Sequence, residues 1–180
     1  KHEMDAETAV TKHVFGFNEG DGKNKKLLGG KGANLCEMTQ IGLNVPPGFV
    51  ISTEACLEYL DSPSRELPDG VMDEVRAHMR ALEEKTGKGF GDPENPLLVS
   101  VRSGSALSMP GMMDTILNLG LTDVSVAGLA NASGNQRFAY DAYRRLINMF
   151  GDVVMEVDHS EFEAAFDKIK KKYNVELDTD

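Results

Sequence analysis

The chain is poor in the residues that most often announce a function. It has two cysteines, Cys36 and Cys56, and no tryptophan. Absence of tryptophan excludes nothing by itself. Neither cysteine belongs to a CxxC pair, which argues against a zinc site. Both fall in apolar-periodic helical stretches and read as reduced core residues. Such sparing use of cysteine fits a reducing compartment. The four histidines, His2, His13, His78 and His159, are scattered with no spacing suited to a triad or a metal set. They read as surface or structural groups. No run of about 18 apolar residues occurs, so no membrane span is expected. Basic residues are in deficit: 19 Lys and Arg stand against 29 Asp and Glu, a net charge of −10. A general nucleic-acid binder needs a basic surface, so that class of partner is not expected.

What is present suits a globule. The chain has 180 residues, 41% of them hydrophobic, enough for one domain or a domain with an appendage. A chain of this size buries roughly 70% of its unfolded surface. An acidic protein that binds an anion must build a local positive site against its own field. Isolated cations beside glycines are therefore the residues to inspect.

The order of elements reads as mixed α and β followed by all α. Residues 14–17 (VFGF) predict a short strand, and 18–26 (NEGDGKNKK) a charged loop. A helix opens at 27–32 (LLGGKG), with Ala33, Leu35, Met38 and Ile41 at helical spacing, and ends at Gly42. After the rigid turn NVPPG, residues 49–51 predict a strand, and Ser52 or Thr53 caps a helix over 54–60. Val71, Val75, Met79 and Leu82 form a helical stripe that Gly87 stops. Residues 97–101 (LLVSV) read as one strand suited to a sheet interior. Beyond Gly120, a helix capped by Thr122 or Asp123 precedes a longer one over 135–150, with Phe138, Ala142, Leu146 and Met149 on one face. Residues 153–157 read as a strand or a helix connection. A capping box from Ser160 to Glu163 opens a last helix to about Tyr173, with Phe162, Phe166 and Ile169 inward. The expected domains are an α/β subdomain over 1–119 and an incomplete helical subdomain over 120–180.

Three places could hold chemistry. In GGKGAN (29–34), glycines allow close approach of backbone, a helix N-terminus offers N–H groups and a positive dipole end, and Lys31 adds a mobile charge. The spacing is neither that of a Walker A loop nor GxGxxG. The alternative is a Gly-rich turn with a surface lysine. Arg102 follows the apolar strand, at the strand end where ligands sit in α/β folds. It could grip phosphate oxygens with two donors, or pair with a nearby carboxylate. The third place is the loop SMPGMMDT. Amides from Gly111 through Met112, Met113 and Asp114 to Thr115 could form an anion nest, with Thr115 adding a hydroxyl. Asp114 either caps the loop backbone or acts near the site. The methionines either close over a ligand or fill a seam.

Together these stretches resemble a known family. LLGGKGANLCEMTQIGLNVPPGFVISTEAC, VSVRSGSALSMPGMMDTILNLGL and FAYDAYRRLINMFGDVVM are similar to the N-terminal end of the pyruvate phosphate dikinases. The first stretch is shared with phosphoenolpyruvate synthases; the SMPGMMDTILNLG stretch is more particular to the dikinases. The resemblance implies an α+β fold, the N-terminal part of an ATP-grasp domain. It implies a parent enzyme that interconverts ATP, phosphate and pyruvate with AMP, pyrophosphate and phosphoenolpyruvate through a phosphohistidine. By position, Lys31 and Arg102 would be catalytic contacts to ATP phosphates, with Gly111, Met112, Met113, Asp114 and Thr115 in the loop over them. Mg²⁺ ligands, the phosphorylated histidine and the pyruvate barrel are expected outside this chain, so the chain alone is expected to be inactive. The implied partners are ATP, phosphate and the remaining domains of the same polypeptide, in a homodimeric parent. The opening residues KHEMDAETAVTKH lack the apolar core of a signal peptide. A start on Lys reads as trimmed, so a targeting segment could have been removed, and a soluble protein of plastid or cytoplasm is expected. The competing readings are a stand-alone nucleotide-binding module and a phosphoenolpyruvate synthase-like dikinase.

Overall fold

The computed structural model describes residues 11–104 and 114–176. The described residues fall into two compact units, one over 11–86 with 104 and one over 87–103 and 114–176. The expected boundary at 119/120 thus falls inside the second unit, where the strand ending at Leu119 packs on a later helix.

In the first unit, β1 (Val14–Gly16) pairs antiparallel with β2 (Phe49–Ile51), Val14 opposite Ile51 and Gly16 opposite Phe49. Between them runs α1 (Lys25–Gln40), followed after β2 by α2 (Thr53–Asp61) and α3 (Val71–Thr86). Of the four α1 positions at helical spacing only Ala33 is buried, while Met38 and Ile41 are exposed. Leu28, Ala33 and Cys36 are buried together, against Phe15, Phe17 and Val50. Ser52 caps α2 by accepting from the Ala55 N–H at 3.2 Å, and Gly87 follows α3 with φ +68°.

The second unit begins with two short parallel strands, β3 (Gly89–Phe90) and β4 (Pro96–Leu97). An antiparallel pair follows, β5 (Val99–Arg102) and β6 (Thr115–Leu119). Then come α4 (Ser125–Ser133), α5 (Gln136–Met149), a π-helical turn (Phe150–Val154) and α6 (His159–Tyr173). Ile116, Leu121, Val126, Ala139, Ala142 and Leu146 form its core. Helices and small sheets together make a mixed α+β chain.

Several expectations need correction. Residues 97–101 are not one interior strand. Leu98 separates β4 from β5, each in its own two-stranded sheet, and Val101 is exposed. Cys56 is exposed, whereas Cys36 is fully buried; both are free thiols. Helix α2 buries only Ala55, so Cys56 falls one residue past its inner face. On α5 the inner stripe is Ala139, Ala142 and Leu146, which turns Phe138 outward to 52% exposure. Asp158, not Ser160, caps α6, accepting from the Ser160 N–H at 2.9 Å. No residue of α6 is buried, and Ile169 is exposed. Residues 153–157 begin inside the π turn.

Candidate phosphate-binding residues

The N-terminal end of α1 is built in two steps. Asn24 caps a first turn, its side chain accepting from the Leu27 N–H at 3.1 Å. Gly29 then leaves helical geometry at φ 70° and ψ 163°, a region open to glycine and costly to other residues. The longer helical piece starts after this break, with Lys31 in its first turn. N–H groups of a first turn lack intrahelical acceptors and sit at the positive dipole end. Thr53 Oγ1 donates to the Lys26 carbonyl at 2.6 Å and ties the first turn to α2. Gly32 packs on β2: a Cβ there would lie 2.9 Å from Val50 Cγ1. The segment Lys23–Lys31 holds four lysines and no acid. Lys31 itself is half-buried and, among the described residues, has no ion pair. This stretch is thus locally cationic in an acidic chain.

The second place is the end of the β5–β6 hairpin. The sequence puts Arg102 just after a strand; the structure makes it the last residue of β5, directly opposite Thr115. Opposed residues of an antiparallel pair share one face of the sheet, with Cβ atoms roughly 5 Å apart. The neighbouring pair, Val101 and Ile116, takes the other face, where Ile116 enters the core. Arg102 and Thr115 therefore look away from α5. Arg102 is exposed and has no carboxylate partner among the described residues, so the alternative of a structural ion pair is not realised there.

Just beyond this pair, Ser103 and Asp114 lock the strand ends. The Ser103 N–H donates to the Asp114 carbonyl at 3.0 Å, and the Asp114 N–H donates to Ser103 Oγ at 3.0 Å. The Asp114 carboxylate itself caps no described backbone group. Gly111, Met112 and Met113 lie outside the described residues. No sequence signal marked the locking role of Ser103.

Lys31 and Arg102, without ion pairs among the described residues, contrast with a satisfied network in the first unit. Glu19 accepts from the Gly16 N–H at 2.8 Å, and lies 3.0 Å from both Lys12 Nζ and His78 Nε2. Burial by itself would raise the Glu19 carboxyl, but the Gly16 N–H, His78 and Lys12 outweigh it and hold the group down at about 2. His13 is buried, and its backbone N–H donates to the Glu74 carboxylate at 3.1 Å. These groups are structural ties between β1, its following loop and α3. An apolar depression lined by Leu146, Phe150, Met155 and Phe162 offers no cation to a phosphate. Among the described residues, no three His, Cys, Asp or Glu side chains cluster to hold a metal ion, so no step is assigned here to Mg²⁺. None of their helices is long and apolar enough to cross a membrane.

Residues 25–66, which contain the whole of the broken α1 helix and α2, match the family described as "Pyruvate phosphate dikinase, AMP/ATP-binding domain". A segment similar to a nucleotide-binding domain is thus the class that this match defines. Over nearly its full length the chain is 54% identical to pyruvate, phosphate dikinase of Entamoeba histolytica, across 167 residues, 93% of this chain and 19% of that protein. Identity is also 54% to the Clostridium symbiosum enzyme, covering 95% of this chain and 20% of that protein. The chloroplastic enzyme of Mesembryanthemum crystallinum gives 54%, covering 98% of this chain and 19% of that protein. The chain belongs to the pyruvate phosphate dikinase family, and it spans about a fifth of the length of these relatives.

Proposed function

We propose that this chain is the N-terminal ATP-binding part of a pyruvate phosphate dikinase. The parent enzyme interconverts ATP, phosphate and pyruvate with AMP, pyrophosphate and phosphoenolpyruvate through a phosphohistidine carried elsewhere in the polypeptide. In this reading the fold is the first part of an ATP-grasp domain, and the ATP phosphates are its ligand. Lys31 neutralises phosphate charge as a mobile ammonium, aided by first-turn N–H groups of α1. Arg102 supplies a fork of donors to phosphate oxygens, and Thr115 adds a hydroxyl on the same face. The loop bearing Gly111, Met112, Met113 and Asp114 supplies backbone amides. Phosphoryl transfer depends on positioning and charge neutralisation, and one part of a clamp gives too little of either. The chain alone is therefore inactive in this reading. Mg²⁺ and its ligands belong to the rest of the enzyme, as do the dimer contacts.

The observation that carries the reading is the pairing of an exposed Arg102, without a carboxylate partner among the described residues, with Thr115 at one hairpin end, in a chain of net charge −10. An arginine left without such a partner fits a site kept open for an anionic ligand. In the full-length polypeptide, Lys31→Met and Arg102→Leu should each abolish the ATP/phosphate partial reaction and spare pyruvate/phosphoenolpyruvate exchange. Unaffected ATP chemistry in both variants would sink the assignment. A stand-alone nucleotide module would instead show ATP binding by the 180-residue chain in calorimetric titration.

A further inference from the structure

The β5–β6 pair is irregular, and the irregularity has one occupant. Val99 pairs with Leu119, but Val101 pairs with Ile116 and Arg102 with Thr115. Between the first two pairs, Ser100 on β5 faces two residues on β6, Leu117 and Asn118. That is a β-bulge with one extra residue. Asn118 adopts φ 61°, the left-handed region that asparagine tolerates better than other L residues. Its side-chain Nδ2 donates to the Ala142 carbonyl of α5 at 3.2 Å. The bulge also explains a break in alternation. Ile116 and Leu119, three residues apart, would face opposite sides of a regular strand. Both pack in the same core.

The geometry points to Asn118 as a positioning residue for the phosphate contacts, an inference that rests on the reading of Arg102 and Thr115 above. With Leu119 anchored against Val99, a strand without the bulge would set Val101 opposite Leu117 and Arg102 opposite Ile116. A one-residue slip exchanges the faces of every side chain beyond it. Thr115 would leave the arginine, and Ile116 would leave the core. The left-handed turn at Asn118 absorbs the extra residue and keeps Arg102 and Thr115 opposed. The Ser103–Asp114 hydrogen bonds hold the same register from the other end. Asn118 touches no ligand in this scheme; it acts through the pairing of two strands.

The test compares three substitutions in the full-length polypeptide, reading the ATP/phosphate partial reaction beside pyruvate/phosphoenolpyruvate exchange. Asn118→Gly keeps the left-handed conformation and loses the amide. Asn118→Ala makes that conformation costly, and Asn118→Val, β-branched, more so. The expected order of ATP activity is Gly above Ala above Val. Gly should stay within about threefold of wild type and Val fall by about tenfold or more, with exchange unchanged in each. The Gly-to-Ala step remains readable if the Val variant does not fold. Equal ATP activity in Gly and Ala, or parallel loss of both reactions, would overturn the inference. Arg102→Leu serves as the control. If it leaves ATP chemistry intact, the phosphate reading falls and the inference with it. If it abolishes ATP chemistry while the Asn118 series is flat, only the inference falls.

Discussion

Replacing Glu19 by glutamine tests the tie between β1, its following loop and α3. The carboxylate has three partners at 2.8–3.0 Å, the Gly16 N–H, Lys12 and His78. Its pKa falls from 4.5 to about 2. In a site sealed from water, that difference would correspond to ~3 kcal/mol at neutral pH. The side chain is 39% exposed, and solvent screening reduces the figure to about 1 kcal/mol. The sign follows from the direction. A depressed carboxyl stabilises the fold above pH 4.5, and this contribution is lost as pH falls toward about 2. Urea unfolding of wild type and Glu19→Gln should therefore differ by about 1 kcal/mol at pH 7, with the gap closing between pH 4.5 and 2. Added salt should shrink the gap at pH 7, because Lys12 and Glu19 are both partly exposed. A gap that persists unchanged at pH 2.5 would refute the electrostatic account and leave a packing effect in its place.

Other expectations are simpler to read. Leu146→Ala removes a buried side chain from the core of the second unit; it should cost about 2–5 kcal/mol in denaturant unfolding. Asn135→Ala deletes the cap that accepts from the Phe138 N–H at 2.9 Å and should cost about 1 kcal/mol in the same assay. In native protein, Cys56 should react with a thiol reagent while Cys36 stays protected, as mass spectrometry of the labelled peptides would show. Cys36 is fully buried, and its thiol is pushed up first by burial and then by the Glu19 charge.

Local signals in the sequence carried far. Ser52 and the C-terminal ends of α1 before Gly42 and of α3 before Gly87 follow from capping and glycine chemistry that acts within one turn. Core members such as Ala142 and Leu146 follow from helical spacing. Phe138 shows the limit of that method. It shares the spacing, yet small Ala139 takes the buried place because α4 and α5 approach closely. The LLVSV run misled because apolarity does not reveal where a strand changes partners; Leu98 does so. Of the candidate site, Lys31 and Arg102 were legible as cations beside glycines and at a strand end. The opposition of Arg102 and Thr115 was not, since strand register is a property of two distant segments. One clue was available: Asn118 stands among β-formers, and asparagine in a strand marks a bend.

The break at Gly29 also bears on how this segment tolerates change. An unbroken helix would couple the angular position of Lys31 to every residue before it, 100° per insertion. Because Gly29 interrupts the ladder, the azimuth of the ammonium is set instead by Gly32 seated on Val50. The charged turn upstream can then lengthen or shorten without swinging Lys31 around its axis.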